Sequence, residues 1–118
     1  MITSIAFTVY PVKDMAAARR FYENALGLKV EMNFQDVWVE YDIAGGTFAI
    51  TTMDERHRPG ANGAVVALEV DDLDACVAAL KSKGVAFVQE PMATPVCRLA
   101  VISDPDGNDV IIHRRNAG

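Results

Sequence analysis

Two carboxylates, one histidine and one tryptophan are the residues of this chain whose types and spacing could do chemistry. Glu40 and Glu69 each sit in an alternating, strand-like run, and His113 lies near the end of the last such run. Carboxylates facing one another in a dry pocket have raised pKa values and serve as acid or base. They could equally bind a cation. His113 could act as a base, pair with a carboxylate or hydrogen-bond a ligand. Together the three would satisfy a two-carboxylate, one-histidine metal set. Trp38 is the only tryptophan, and an exposed indole stacks on flat or cationic ligands. Each residue also has a plainer reading. The carboxylates are solvated, His113 is an exposed chain-end residue beside Arg114 and Arg115, and Trp38 fills a cleft or a dimer seam.

Other polar candidates carry less. His57 lies among Glu55, Arg56 and Arg58 in a stretch without apolar periodicity, so it reads as solvated. Cys97 follows Pro91 to Pro95, and no histidine is expected beside it. It reads, like Cys76, as a buried structural cysteine. Arg98 either reaches an anionic ligand or points outward.

The elements that must position these residues come in two matching sets. Asp14 is placed to cap a helix in which Met15, Ala18, Phe21, Tyr22, Ala25 and Leu26 keep helical spacing, with Gly27 as the stop. Asp72 caps a second, with Leu73, Val77 and Leu80 at core spacing and Gly84 at its end. Ile2 to Tyr10 precedes the first helix as a strand, and Pro11 suggests a bulge there. Leu28 to Phe34, Val37 to Ile43 and Thr47 to Thr52 follow as strands, with Ala44-Gly45-Gly46 as a turn. Ala64 to Val70 precedes the second helix. Val85 to Gln89, Cys97 to Ser103 and Asp109 to Arg114 follow it. Pro91 to Pro95 reads as a loop and Asp104-Pro105-Asp106-Gly107-Asn108 as a hairpin turn.

The order is therefore β-α-β-β-β, twice. The expected organisation is one domain over 1–118: module one at 1–53, a linker at 54–63 that contains Pro59, Gly60, Asn62 and Gly63, and module two at 64–115. Strand alternation puts Val37, Val39, Tyr41 and Ile43 on one face with Phe48 and Ile50. Trp38, Glu40 and Asp42 take the other face, beside Thr47, Ala49 and Thr51. Likewise Val66, Leu68 and Val70 oppose Val65, Ala67 and Glu69. The apolar faces must cover the helices, which leaves the other faces to line a cleft. A one-residue slip would invert the assignment.

Composition limits the function. At 118 residues, 51% hydrophobic and 23% charged, the chain is of ordinary globular make-up. A net charge of −5 argues against nucleic acid. No apolar run approaches the roughly 20 residues of a membrane span, and Met1 to Tyr10 lacks the marks of a signal peptide. With two isolated cysteines read as reduced thiols, the expected location is the cytoplasm.

Read in order, Val12-Lys13-Asp14-Met15, Phe21-Tyr22, Leu26-Gly27-Leu28, Leu68-Glu69-Val70-Asp71-Asp72-Leu73 and Asp104 to Asn108 resemble the vicinal oxygen chelate superfamily. That superfamily includes glyoxalase I, extradiol dioxygenases, and fosfomycin- and bleomycin-resistance proteins. The resemblance implies an α+β fold of two tandem βαβββ modules with a cup-shaped cleft. It also implies a divalent metal held by His and Glu from the first and last strands of each module. Carried over position by position, those ligands fall on Phe7, Ala49, Val65 and Ile111. None can bind a metal, and no neighbour of Phe7 within its strand is a ligand type.

The expectation is thus a metal-independent protein without cofactor that binds a small organic molecule, of the glyoxalase/bleomycin-resistance type. Phe7 and Trp38 form its apolar wall, together with Ala49, Val65 and Ile111. Glu40, Glu69 and His113 are its polar anchors. The alternative is an enzyme of the same superfamily, a lyase, isomerase or dioxygenase-like activity, that uses those three as acid and base or as a displaced metal site. A homodimer is expected from the resemblance.

Overall fold

The computed structural model describes residues 1, 3–55, 57–61 and 63–116. Ile2, Arg56 and Asn62, which figure in the sequence expectations, lie outside the described residues. The chain divides into two compact units, Met1–Gly60 and Ala61–Gly118. Each has the β-α-β-β-β order and its own four-stranded sheet.

In the first unit the strands are β1 (Thr8–Pro11), β2 (Val30–Phe34), β3 (Trp38–Ile43) and β4 (Gly46–Thr51). They lie in the order β1-β4-β3-β2, with β1 parallel to β4 and the other pairs antiparallel. β1 is shorter than the expected Ile2 to Tyr10. Its partner begins at Gly46 and Thr8 already faces Phe48, so residues well before Thr8 have no β4 backbone to meet. The bulge expected at Pro11 is absent, and pairing runs unbroken from Thr8↔Phe48 to Pro11↔Thr51. Pro11 is tolerated because β1 is an edge strand.

The first helix starts where Asp14 Oδ1 accepts the Ala17 N–H at 3.1 Å. It runs as α1 (Met15–Arg19) and continues as a π-helical turn, Arg20–Ala25. The second helix, α2 (Leu73–Ser82), is capped by Asp72 in the same way. Asp14 and Gly27 are one residue further apart than Asp72 and Gly84, and the π turn absorbs that residue. At the end of α2, Gly84 N–H bonds to Lys81 O and Val85 N–H to Leu80 O, a Schellman closure with Gly84 at φ +76°. In the first unit Leu28 N–H reaches back one residue further, to Tyr22 O, with Gly27 at φ +72°.

The core of the first unit is aromatic. Tyr10, Tyr22, Tyr41 and Phe48 are buried, with Tyr10–Phe48 and Tyr22–Phe48 ring centroids 5.3 and 5.2 Å apart. They pack with Met15, Ala18 and Phe21 from the helix, the side predicted from periodicity. Tyr41 O–H donates to Glu23 Oε2 at 2.8 Å, so its buried hydroxyl is satisfied. Arg19 grips the same carboxylate through Nε (2.7 Å) and Nη2 (3.2 Å) and reaches Asp36 through Nη1 at 3.0 Å. The network ties the π turn to the β2–β3 connection.

The second unit contains β5 (Val66–Glu69), β6 (Ala86–Ala93), β7 (Cys97–Ser103) and β8 (Asp109–Arg115), ordered β5-β8-β7-β6. Its core is aliphatic: Leu73, Val77 and Leu80 of α2 against Ala100, Ile102, Val110 and Ile112. The expected Pro91–Pro95 loop is a correction, because β6 continues through Pro91 to Ala93. Two register irregularities, between Phe87 and Gln89 and between Gln89 and Met92, accommodate the proline on this edge strand. The Asp104–Asn108 turn is held by Asp104 Oδ1, which accepts the Asp106 and Asn108 N–H groups at 2.9 and 2.8 Å. No helix among the described residues is long and apolar enough to cross a membrane.

Candidate functional site

Strand register decides which side chains share a face. In the first sheet Glu40 pairs with Ala49, Ala49 with Val9, and Met32 with Glu40. These four therefore point to one side. One row along, Trp38 pairs with Thr51 and Phe34 with Trp38. This is the side away from the helix, because Val39, Tyr41, Phe48 and Ile50, which alternate with them, are buried in the core. Sequence alternation placed Trp38, Glu40, Ala49 and Asp42 here. It assigned no face to Met32 and Phe34. Their signal was the alternation of Val30, Met32 and Phe34, which a bulge between Val30 and Met32 interrupts.

Phe7 immediately precedes β1 and Trp38 opens β3, with β4 between them. Strands two apart are about 10 Å apart, yet these ring centroids lie 5.4 Å apart, edge to face at 90°. The rings therefore meet over β4. Ala49, on β4 and on the same face, is fully buried. The indole is turned along its own strand, with Nε1–H donating to Glu40 Oε2 at 2.8 Å. Phe7, Met32 and Phe34 remain 45%, 41% and 49% exposed. The result is an open apolar wall with a carboxylate set in it.

In the second sheet Ala67 pairs with Ile111, and Glu69 with His113. His113 pairs onward with Leu99. Glu69 and His113 thus stand side by side, and their Oε1 and Nδ1 atoms are 2.5 Å apart. Glu69 Oε2 accepts the Arg115 N–H at 2.7 Å and lies 3.9 Å from Arg114 Nη1. The Arg115 backbone bond, then the His113 bond, hold the Glu69 carboxyl below its ordinary value. The shift is downward, opposite to what a carboxylate facing another in a dry pocket would show. The carboxylate is half-exposed and already has donors, the reverse of a dry, repelled acid. Val65 is exposed just before β5, and Ile111 is half-buried within β8.

Arg98 makes a bidentate pair with Asp74 of α2 at 3.0 and 3.3 Å, on the helix side of its sheet. Cys97 is buried, with Thr94 Oγ1 3.1 Å from its sulfur. Burial pushes the half-buried Cys76 thiol up, and Asp71 adds to this, which keeps the thiol protonated. His57 is exposed and pairs with Asp54 at 2.7 Å.

The family's metal positions are a poor fit to a metal. The Phe7, Ala49, Val65 and Ile111 side chains offer only carbon. Among the described residues no three His, Cys, Asp or Glu side chains gather as ligands. Glu69 and His113 meet within the second unit, and Glu40 belongs to the first.

The element order, sheet order and register define an α+β protein of two βαβββ modules. The chain belongs to the Glyoxalase/Bleomycin resistance protein/Dioxygenase superfamily, whose model matches residues 4–112. Among solved structures it is similar to TnmS3, an antibiotic binding protein from Streptomyces sp. CB03234. The two share 28% identity over 98% of each chain, with a TM-score of 0.85. A member of the same superfamily from Sphaerobacter thermophilus is 26% identical over 96% of this chain and 98% of that one, with a TM-score of 0.80. Lactoylglutathione lyase from Agrobacterium tumefaciens shares the fold, at 16% identity over 97% and 95% of the chains and a TM-score of 0.78. No curated protein matches the chain.

Proposed function

We propose that this protein binds a small organic molecule on the helix-free face of its first sheet, without a metal ion. The observation that carries the reading is the Phe7–Trp38 ring pair laid over Ala49, with Met32 and Phe34 exposed beside it. An apolar surface with one fixed polar group is the usual composition of a small-molecule site. The likeness to an antibiotic binding protein supports binding as the activity. A cytoplasmic homodimer with modules at 1–53 and 64–115 belongs to the same proposal.

Glu69 and His113 favour a second reading, an enzyme of the same superfamily. A carboxylate on Nδ1 fixes the imidazole tautomer and leaves Nε2 as the proton acceptor. In that reading His113 is the base and Glu69 orients it.

Titration with the neutral dye Nile red tests the first reading. Saturable fluorescence in the wild type that is lost in Trp38→Ala, with the circular dichroism spectrum unchanged, is the expected result. Equal binding by both proteins would remove the first sheet as the site. Turnover of any substrate that is abolished by His113→Gln, with Trp38→Ala still active, would favour the enzyme.

A further inference from the structure

We infer that the molecule held on this face is an organic cation with an apolar body, such as an N-alkylated heteroaromatic or a protonated amine. The inference rests on the binding reading above and narrows it to a ligand class. Its basis is the electrostatic imbalance of the face. Glu40 and Asp42 alternate with the core residues of β3, so both carboxylates point to the helix-free side. Among the described residues neither Glu40 nor Asp42 takes part in an ion pair, whereas Glu23, Glu69, Asp74 and Glu90 each do. None of the positions that register places on this face, from Val9 and Pro11 on β1 to Met32 and Phe34 on β2, is Lys, Arg or His.

Among the described residues the donor to Glu40 is the neutral indole N–H of Trp38. That bond fixes the indole without neutralising the carboxylate. It also polarises the ring, because an N–H that donates to an anion leaves its π system richer in electrons. A cation resting on the indole face would meet the ring quadrupole and the Glu40 carboxylate together. Phe7, edge-on to Trp38, and Phe34, its lateral neighbour on β2, would cover the apolar body. A neutral ligand would gain the stacking alone. An anion would be repelled by two carboxylates with no base to offset them.

A matched pair of probes tests this: 1-methylquinolinium, which is cationic, and 4-methylquinoline, which is neutral near pH 8 and of the same shape. With a single tryptophan in the chain, the Trp38 Nε1–H gives one indole cross-peak in a ¹⁵N–¹H spectrum. The cation should bind roughly tenfold more tightly than the neutral probe, and added salt should narrow the gap. Glu40→Gln keeps an oxygen to accept the indole N–H but removes the charge, and should bring the two affinities together. Glu55→Gln, an equal charge change in an exposed segment outside the sheets, should not. Equal binding of both probes by the wild type would overturn the cation inference and leave the binding face standing. Failure of both probes to move the indole peak would overturn both. Asp42→Asn serves as the second variant should Glu40→Gln lose the dispersed spectrum of a folded protein, and it should narrow the gap in part. An unchanged gap in the folded Glu40→Gln protein, or in Asp42→Asn where that variant replaces it, would also overturn the inference.

Discussion

Trp38 and Glu40, two residues apart on β3, are joined by an indole N–H that donates to a carboxylate oxygen at 2.8 Å. Side chains at i and i+2 of a strand share a face but stand nearly 7 Å apart at their roots. The bond therefore requires the indole to lie along the strand, and this orientation carries its ring toward Phe7. One hydrogen bond thus fixes the plane of the candidate binding surface. It is also the link through which a charged ligand would influence the tryptophan.

Ala49 is fully buried on the face across which Phe7 and Trp38 meet. Ala49→Leu should force the Phe7–Trp38 pair apart and cost about 1–3 kcal/mol through overpacking. Thermal unfolding and the Trp38 emission maximum should both report it, the latter by a shift to longer wavelength as the indole is lifted into water. An unchanged emission spectrum in a stable Ala49→Leu protein would mean that the rings do not rest on this residue.

Glu69 makes stability depend on acid. Its folded-state pKa lies below the ordinary 4.5, so its contribution is fully present above that value and is lost as pH falls through the lower folded value. The melting temperature of Glu69→Gln should therefore lie below the wild type near neutrality, and the difference should close as pH falls through and below the ordinary carboxylate range. A difference that stays constant across this range would show that Glu69 contributes through packing alone.

The Glu23–Tyr41 bond supports the π turn. Burial opposes the Glu23 charge, but the Arg19 bond and then the Tyr41 bond outweigh it and leave its pKa below normal. Burial and the same carboxylate push the Tyr41 phenol up. Glu23→Ala would leave a buried hydroxyl without its acceptor, at a cost of about 1–3 kcal/mol, whereas Tyr41→Phe should cost nearer 1 kcal/mol. In a double-mutant cycle by urea unfolding the two should be strongly non-additive. Additive losses would mean that the bond is not formed in solution.

Much of this architecture was legible in the sequence, for reasons that can be named. Asp14 and Asp72 cap their helices because a short carboxylate before an apolar-periodic run has few other local uses. The face of β3 and β4 followed from strict alternation of Val39 and Tyr41 with Trp38 and Glu40. The turn at Asp104 was written in residue types that few other structures use together. What failed to show was governed by partners remote in sequence. The start of β1 depends on where β4 begins. The run of β6 through Pro91 depends on its edge position and on two register slips. The charge state of Glu69 depends on the backbone of Arg115, 46 residues away. The π turn was half visible, as the one extra residue between Asp14 and Gly27, while the burial of both Phe21 and Tyr22 within it rests on the sheet they pack against.

The central claim, that the first sheet binds an organic ligand through Trp38 without a metal, is tested most directly by one titration carried out in parallel on two samples. Nile red is titrated into protein stripped with EDTA and into the same protein supplied with Mn²⁺, Ni²⁺ or Zn²⁺, with elemental analysis of both. The account predicts identical, saturable binding in the two samples and no stoichiometric metal in either after desalting. Binding that appears only with metal, accompanied by about one bound ion per chain, would contradict it.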